Sequence, residues 1–106
     1  MLIRLRYAST LAPDTTMDDV GLIVERSSIW NLHYGITGVL AVDGGRVMQI
    51  LEGPGETVDG LYENICRDSR HVGVVILDRN DVAGRHFAEW SMVRRSMAEM
   101  LIMSAD

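Results

Sequence analysis

The sequence predicts an α+β fold: a ferredoxin-like βαββαββ sandwich, with a mixed five-stranded sheet and two helices on one face. Residues 2–9 alternate between apolar and polar side chains, which is typical of a strand with one buried face. Two apolar runs flank Asp43-Gly44-Gly45, where glycine permits the positive φ angles of a tight hairpin turn. Helical periodicity before and after this hairpin supplies the two helices.

The first strand presents two different surfaces. Ile3, Leu5 and Tyr7 share one face, whereas Arg4 and Arg6 share the other. The apolar face must pack against the helices, so we expect the Tyr7 side chain to point into the core.

The first helix is predicted to begin after Thr16, a suitable N-cap, and to end near Tyr34. Its inner stripe is unusual at two positions. Ser27 is small where a packed helix favours bulk, and Asn31 brings an amide to the buried side. Gly35 then suits a left-handed C-terminal cap.

The second strand of the hairpin contains an uncharged amide, Gln49, in an otherwise apolar run. Burying an amide without hydrogen-bond partners costs free energy, so Gln49 is either exposed or has a partner.

The chain after the hairpin is predicted to form a helix and two strands, with a polar loop between the strands. Apolar side chains recur at helical spacing over about 56–68 and place Cys66 in the core. The continuous apolar run 72–77 predicts a buried strand, and 78–86 reads as a polar loop. A short strand over about 87–93 follows, and it carries Phe87, Trp90 and Met92.

We expect one domain over residues 1–95 and a C-terminal tail over 96–106, which forms a short amphipathic helix or an interface. A sheet with helices on one face leaves the other face open, including Met48, Ile50 and Val75. Because the tail is short, the sequence predicts that a second copy or a separate effector protein covers this face.

Composition excludes several classes of function. The net charge of −5 argues against nucleic-acid binding, and no apolar run is long enough to span a membrane. The single cysteine fits a reducing, cytoplasmic location. The three histidines lack metal-ligand spacing, so no metal site is predicted. No set of residues for nucleophilic or acid–base catalysis is evident, so we predict that the chain is not an enzyme.

Tyr7, Asn31 and Gln49 stand out as a set if all three face the space between the sheet and the helices. Together they would form a ring of neutral donors and acceptors, suited to the polar edge of a flat heterocycle, with Ser27 leaving room for its ring. Taken singly, each has an ordinary structural role: a buried phenol bonded to a carbonyl, a helix-capping amide, an exposed strand amide.

Five segments of the chain resemble the BLUF family, blue-light sensors that use FAD. The resemblance runs over about residues 2–93, in the order and spacing of the family. The matching segments are Arg4-Leu5-Arg6-Tyr7-Ala8-Ser9, Asn31-Leu32-His33-Tyr34-Gly35-Ile36-Thr37-Gly38-Val39-Leu40, Met48-Gln49-Ile50-Leu51-Glu52-Gly53, Asp68-Ser69-Arg70-His71 and Phe87-Ala88-Glu89-Trp90-Ser91-Met92.

The resemblance implies a blue-light photoreceptor that binds FAD non-covalently and signals through protein–protein contacts. Tyr7 matches the photochemical electron donor of the family, and Gln49 matches the amide that links it to flavin N5 and O4. Light-driven electron and proton transfer along Tyr7, Gln49 and flavin would rearrange these hydrogen bonds, since an amide can donate at one end and accept at the other. Trp90 and Met92 match two residues on the last strand of the family, either of which has been placed next to the position of Gln49.

The resemblance also implies a set of cofactor-binding residues. Asn31 matches the anchor of the pyrimidine edge, and the segment from Asp68 to His71 matches the ribityl and phosphate end. Packing of the ring between the helices implies further contacts. The implied set is Tyr7, Ile23, Ser27, Asn31, Ile36, Gln49, Ile65, Asp68, Arg70 and His71.

Two departures from the family pattern keep a second hypothesis open. Trp30 and Ser28 stand where the family often has an Asn and a basic residue, which removes polar contacts near the flavin. The alternative is a flavin- or nucleotide-binding regulatory domain that has lost light switching. A third hypothesis is an acylphosphatase-like hydrolase on the same fold. It ranks last, because the sequence shows no phosphate-binding loop with a paired arginine.

Overall fold

A computed structural model of the chain describes residues 1–103, so the last three residues of the tail lie outside the described part. The elements are β1 Leu2–Leu11, α1 Met17–Tyr34, β2 Thr37–Asp43, β3 Arg46–Pro54, α2 Gly55–Arg67, β4 His71–Val82, β5 Val93–Arg95 and α3 Met97–Met103. Within this range no helix combines the length and the apolar character needed to cross a membrane.

The five strands form one mixed sheet in the order β4-β1-β3-β2-β5. Only the β2–β5 pair is parallel. One face packs against α1 and α2, where Tyr7, Val20, Leu51 and Val58 share a buried cluster. The predicted α+β class, with a mixed five-stranded sheet, is confirmed.

Both predicted caps of α1 form. The Thr16 hydroxyl accepts from the backbone N–H of Asp19 at 3.1 Å, and the Asp19 carboxylate accepts from the backbone N–H of Thr16 at 2.9 Å. Gly35 closes the helix with a φ of 69°. These caps fix where α1 ends, and with it the position of Asn31.

The β2–β3 hairpin turns at Gly44 and Gly45, whose φ angles of 57° and 81° match the predicted tight turn. The turn sets the register of the sheet centre, in which Gln49 is paired with Tyr7 on one side and Leu40 on the other. All three side chains therefore point toward the helices.

The prediction of a buried strand over 72–77 is wrong. Strand β4 lies at the edge of the sheet, and Val75 is 58% exposed. The strand also continues through 78–82, where the sequence predicts a loop, because these residues extend the antiparallel pairing with β1 as far as Leu2. The ion pair of Asp78 with Arg6 lies along this pairing. An apolar run does not by itself distinguish an edge strand from a central one.

Two further predictions need correction. Residues 87–92 do not form a strand: the backbone N–H of Trp90 donates to the carbonyl of Phe87 at 3.0 Å, which closes a turn, and β5 begins only at Val93. Cys66 is exposed rather than in the core, because burial along α2 decreases from Val58 toward its C-terminal end.

Helix α3 covers half of the sheet face that was expected to be open. Met100 is fully buried in a cluster with Val39, Ala41, Ile50 and Phe87. The chain itself therefore covers Ile50, contrary to the expectation that the tail is too short. Val75 on β4 remains outside this cover.

Gly38 on β2 leaves no room for a side chain, since an added Cβ would lie 2.2 Å from the carbonyl oxygen of Ile50. We expect Gly38→Ala to lower the free energy of unfolding by about 1–3 kcal/mol, because the paired strands must separate. Gly60→Ala is the matched control. It meets nothing within 4 Å in helix α2, and it should stabilise the protein by up to about 1 kcal/mol. Urea unfolding measures both, and an unchanged stability of Gly38→Ala would contradict the close approach.

Candidate functional site

A cavity of about 170 Å³ lies between the sheet and the two helices α1 and α2. The first strand supplies Tyr7, the centre of the sheet supplies Leu40 and Gln49, and both helices supply the opposite walls. Its lining residues are Tyr7, Ile23, Val24, Ser27, Asn31, Leu40, Gln49, Leu61, Asn64, Ile65, Asp68, Arg70, His71 and Met92.

Three side chains form a continuous hydrogen-bonded chain along one wall. The Tyr7 hydroxyl donates to Gln49 Oε1, and Gln49 Nε2 donates to Met92 Sδ at 3.4 Å. All three residues are buried. Each end of the Gln49 amide therefore has its own partner, which answers how a buried amide is tolerated in an apolar strand.

The Tyr7 phenol is held in its protonated form. Burial, the largest cause, raises the pKa of Tyr7 well above its usual range, and the nearby Cys66, Tyr62 and Asp68 raise it further. The Tyr62 ring lies edge-on to it, with centroids 5.7 Å apart. The resting hydroxyl is thus a donor to Gln49 across the whole neutral pH range.

Asn31 carries an unused acceptor. Its Nδ2 donates to the carbonyl of Ser91 at 2.8 Å, but its buried Oδ1 has no hydrogen-bond partner among the described residues. A buried acceptor without a donor costs free energy, so this atom points to a ligand with an N–H or O–H group.

The mouth of the cavity is charged. Hydrogen bonds from Arg70 hold the pKa of Asp68 at about 2, so its carboxylate is charged at neutral pH and pairs with the guanidinium. Burial lowers the pKa of His71, whose Nδ1 lies 3.0 Å from the Ser9 hydroxyl. Polar groups thus collect at one end, whereas Ile23 and other apolar side chains form the walls.

Two of the residues singled out in the sequence do not line this cavity. Ile36 is buried in the core and lines a separate cavity of about 280 Å³ behind Asn31. Trp90 stacks on Phe87 on the opposite face of the sheet, with ring centroids 5.8 Å apart, and Arg95 lies over its ring. Met92, and not Trp90, is the neighbour of Gln49.

Four lining residues were not assigned to the site from the sequence: Val24, Leu40, Leu61 and Asn64. Val24 and Leu61 lie on the predicted helix stripes, and Leu40 is the hairpin partner of Gln49. Periodicity therefore could have found these three. No sequence pattern points to Asn64.

The lining fits a flavin. The pyrimidine edge of that ring has one N–H between two carbonyl groups, which suits the unpaired Oδ1 of Asn31, and the apolar walls suit the flat ring. A neighbouring cavity of about 320 Å³ shares Ser27, Asn31, Leu61 and Asn64 and gives further space between the helices.

A family model described as "BLUF: Sensors of blue-light using FAD" matches residues 2–93. The chain belongs to the BLUF family. A blue light- and temperature-regulated antirepressor of Escherichia coli K12 is 33% identical over 92 residues, which are 87% of this chain and 23% of the antirepressor. The chain thus spans about a quarter of that relative.

Solved structures agree with this assignment. A bacterial light-regulated adenylyl cyclase matches with a TM-score of 0.88 at 34% identity, over 98% of this chain and 32% of its own. The dark-state structure of BlrB, a BLUF protein, matches with a TM-score of 0.87 at 32% identity, over 97% of this chain and 78% of its own. The predicted family, the blue-light sensor class and the FAD cofactor are confirmed.

The BLUF domain is a sensory module and not itself a catalyst. In the antirepressor and the cyclase, most of the chain lies outside the matched region. The predicted non-enzymatic class is confirmed.

Proposed function

We propose that the cavity between α1 and α2 is the FAD site of this blue-light sensor, and that binding is non-covalent. The observation that carries the proposal is the buried Oδ1 of Asn31, which has no donor among the described residues. Asn31 and Gln49 hold the polar edge of the ring, Ile23 and Ile65 pack on its faces, and Ser27 leaves room for it.

The charged mouth then receives the rest of the cofactor. Asp68, Arg70 and His71 lie together at that end, where the ribityl chain and phosphates leave the cavity. The guanidinium of Arg70 supplies positive charge for phosphate oxygens while the Asp68 carboxylate orients it. Ile36 is not in this set, because it lines the cavity behind Asn31.

The switch is assigned to Tyr7 and Gln49. When bound, FAD supplies blue-light absorption and, once excited, the oxidising power. With FAD bound and excited, Tyr7 would give up an electron to it and its hydroxyl proton to Gln49 Oε1, while Gln49 Nε2 would release one proton toward the ring, so that the amide stays neutral. Return of the electron and of a proton would restore the Tyr7 phenol. The Gln49 amide then exchanges its donor and acceptor ends by rotation or tautomerisation.

That exchange changes the contact behind Gln49. In the resting arrangement Nε2 donates to Met92 Sδ, whereas a rotated amide presents an acceptor oxygen to the same sulfur, which has no proton to give. The rearrangement therefore releases Met92, and through it the segment that leads to β5 and α3.

We further propose cytoplasmic signalling through protein–protein contacts, as a homodimer or with a separate effector. The exposed apolar residues Val72, Val75 and Leu77 on β4 support a partner surface, and the free thiol of Cys66 suits a reducing compartment. Light scattering of the purified protein tests the dimer. A monomer in the dark and in the light, at all concentrations, would leave only the separate effector.

The alternative is a flavin-binding domain that has lost light switching. Ser28 donates to the carbonyl of Glu25 in its own helix at 2.8 Å and does not line the cavity. Trp30 is 48% exposed and lines the neighbouring cavity with an apolar ring. The absorption spectrum of the flavin-loaded protein decides between the two. A reversible red shift under blue light supports the switch, and yellow protein without a shift supports the alternative.

Asn31→Leu tests the site itself. We expect the dissociation constant for FAD to rise about ten- to a hundredfold, because the ring loses its acceptor and one anchoring hydrogen bond. Asn80→Leu, the same change on exposed strand β4, is the matched control and should leave binding unchanged. Fluorescence titration of the unloaded protein with FAD measures both. Equal affinities would place the flavin elsewhere.

A further inference from the structure

Glu52 is a wholly buried carboxylate that the proposed switch does not use. It lies on β3 in a row across the sheet, between Arg4 of β1 and Thr37 of β2. Because it is three residues from Gln49 along a strand, its side chain points to the opposite face. A buried charge is costly unless hydrogen bonds compensate, so its partners indicate its role.

Two of those partners belong to the segment between β4 and β5. Glu52 accepts from Arg4 Nε at 2.9 Å and from the Thr37 hydroxyl at 3.3 Å. It also accepts from the backbone N–H groups of His86 and Phe87, each at 2.8 Å. Strands β4 and β5 lie at opposite edges of the sheet, so the chain between them must cross it. Glu52 binds this crossing segment, residues 83–92, part-way across.

The backbone is held continuously from Phe87 to Met92. The Trp90 N–H donates to the carbonyl of Phe87 at 3.0 Å, and the two rings stack. The Gly38 N–H then donates to the carbonyl of Trp90 at 2.8 Å. Met92 follows two residues later with its sulfur against Gln49. Because these backbone bonds follow one another along the chain, a displacement of Phe87 also displaces Met92.

We propose that Glu52 is a positioning residue of the light switch, which fixes the crossing segment so that Met92 Sδ meets Gln49 Nε2 in the resting state. The proposal rests on the proposed function, since it is the switch that gives the Gln49–Met92 contact a role. Glu52 touches neither Gln49 nor the cavity and acts through the backbone of residues 86–92.

Glu52→Gln isolates this role because the amide has nearly the same shape. It replaces one acceptor oxygen with an NH₂ group, which then faces a backbone N–H donor. At least one hydrogen bond to the segment is lost, together with the charge that pairs with Arg4. The backbone at His86 and Phe87 should open, while Arg85 still donates to the backbone carbonyls of Gly35 and residue 52. Met92 should then shift away from Gln49.

The sequence offers a clean probe, because Phe87 is the only phenylalanine. Protein labelled with ¹⁵N-phenylalanine gives a single backbone amide signal, from the group that donates to Glu52. We expect its hydrogen exchange to be at least about tenfold faster in Glu52→Gln, because a hydrogen bond to a charged group is lost. Labelled methionine methyl groups, with the Met92 signal assigned by Met92→Leu, report whether Met92 has moved.

Both readings are made on the unloaded protein, so they do not depend on light or flavin. Faster Phe87 exchange together with a shifted Met92 methyl signal supports the proposal. Unchanged exchange overturns it, and so does faster exchange with an unmoved Met92 signal. Asp59→Asn makes the same carboxylate-to-amide change at an exposed pair with Arg79 and should alter neither signal.

Thr37→Val is a second variant that tests the same proposal if Glu52→Gln does not fold. It keeps the charge but removes two hydrogen bonds, the one that the Thr37 hydroxyl donates to the carboxylate and the one that it accepts from Arg85 Nη1 of the crossing segment, so both signals should change in the same direction. In flavin-loaded Glu52→Gln, the red-shifted form should return to the dark form more slowly, because Met92 is not held where Gln49 returns to it. If the flavin-loaded protein without substitutions shows no red shift, the proposed function is refuted. Phe87 exchange and the Met92 methyl signal would then still show whether Glu52 positions Met92.

Discussion

Tyr7→Phe should bind FAD and yet show no red shift under blue light. The substitution removes one oxygen atom and keeps the ring that packs in the core, where Tyr7 is fully buried. The lost group is the only donor to Gln49 Oε1 among the described residues, so no proton can pass to the amide. Absorption spectra before and after illumination measure the shift, and flavin content measures binding.

Tyr62→Phe is the matched control. Its ring lies 5.7 Å from that of Tyr7 and has the same phenol, but it is not among the cavity-lining residues. This variant should retain the red shift. A normal shift in Tyr7→Phe would refute the role of Tyr7, and loss of the shift in both variants would show that the response depends on packing rather than on one hydroxyl.

The sequence is sufficient to predict the centre of the candidate site because its residues lie in elements with a simple period. Alternation along β1 places Tyr7 on the buried face, and helical spacing places Asn31 on the inner stripe of α1. The hairpin turn then fixes the register that sets Gln49 opposite Tyr7. Each of these inferences needs only local geometry.

The remaining features depend on contacts between distant segments. The exposed β4 has the same apolar run as a central strand, and only the strand order puts it at an edge. The sequence predicts a strand over residues 87–92, but the Trp90 N–H donates to the Phe87 carbonyl and closes a turn there. Glu52 accepts from the backbone N–H groups of His86 and Phe87, where this segment begins. No local pattern separates Met92, which reaches Gln49, from Trp90, which does not.

Local sequence patterns also could not predict that helix α3 covers the second face of the sheet. The apolar spacing of the tail suggests a helix, yet it does not say which surface the helix meets. Met100 packs on Val39, Ala41 and Ile50, at the half of the sheet made by β2 and β3. The half made by β1 and β4 has Arg4 and Arg6 in ion pairs instead, so an apolar helix gains less there.

Gln49→Leu should abolish the red shift as completely as Tyr7→Phe, for a complementary reason. The leucine fills similar space but can neither accept from Tyr7 nor donate to Met92. The phenol loses its buried partner, so we also expect the free energy of unfolding to fall by about 1–3 kcal/mol. Flavin binding should persist, since Asn31 and the apolar walls remain.

Gln49 is the only glutamine in the sequence, so its amide can be observed directly. Side-chain labelling with ¹⁵N-glutamine should give one NH₂ pair of signals, which shifts on illumination as the amide changes partners and returns in the dark. Met92→Leu separates the two contacts of this amide. It keeps the Tyr7 bond and should keep the red shift, but the resting Nε2 signal should move because the sulfur acceptor is gone. An Nε2 signal that is identical in the dark and in the light, in protein that shows the red shift, would rule out Gln49 as the element that switches.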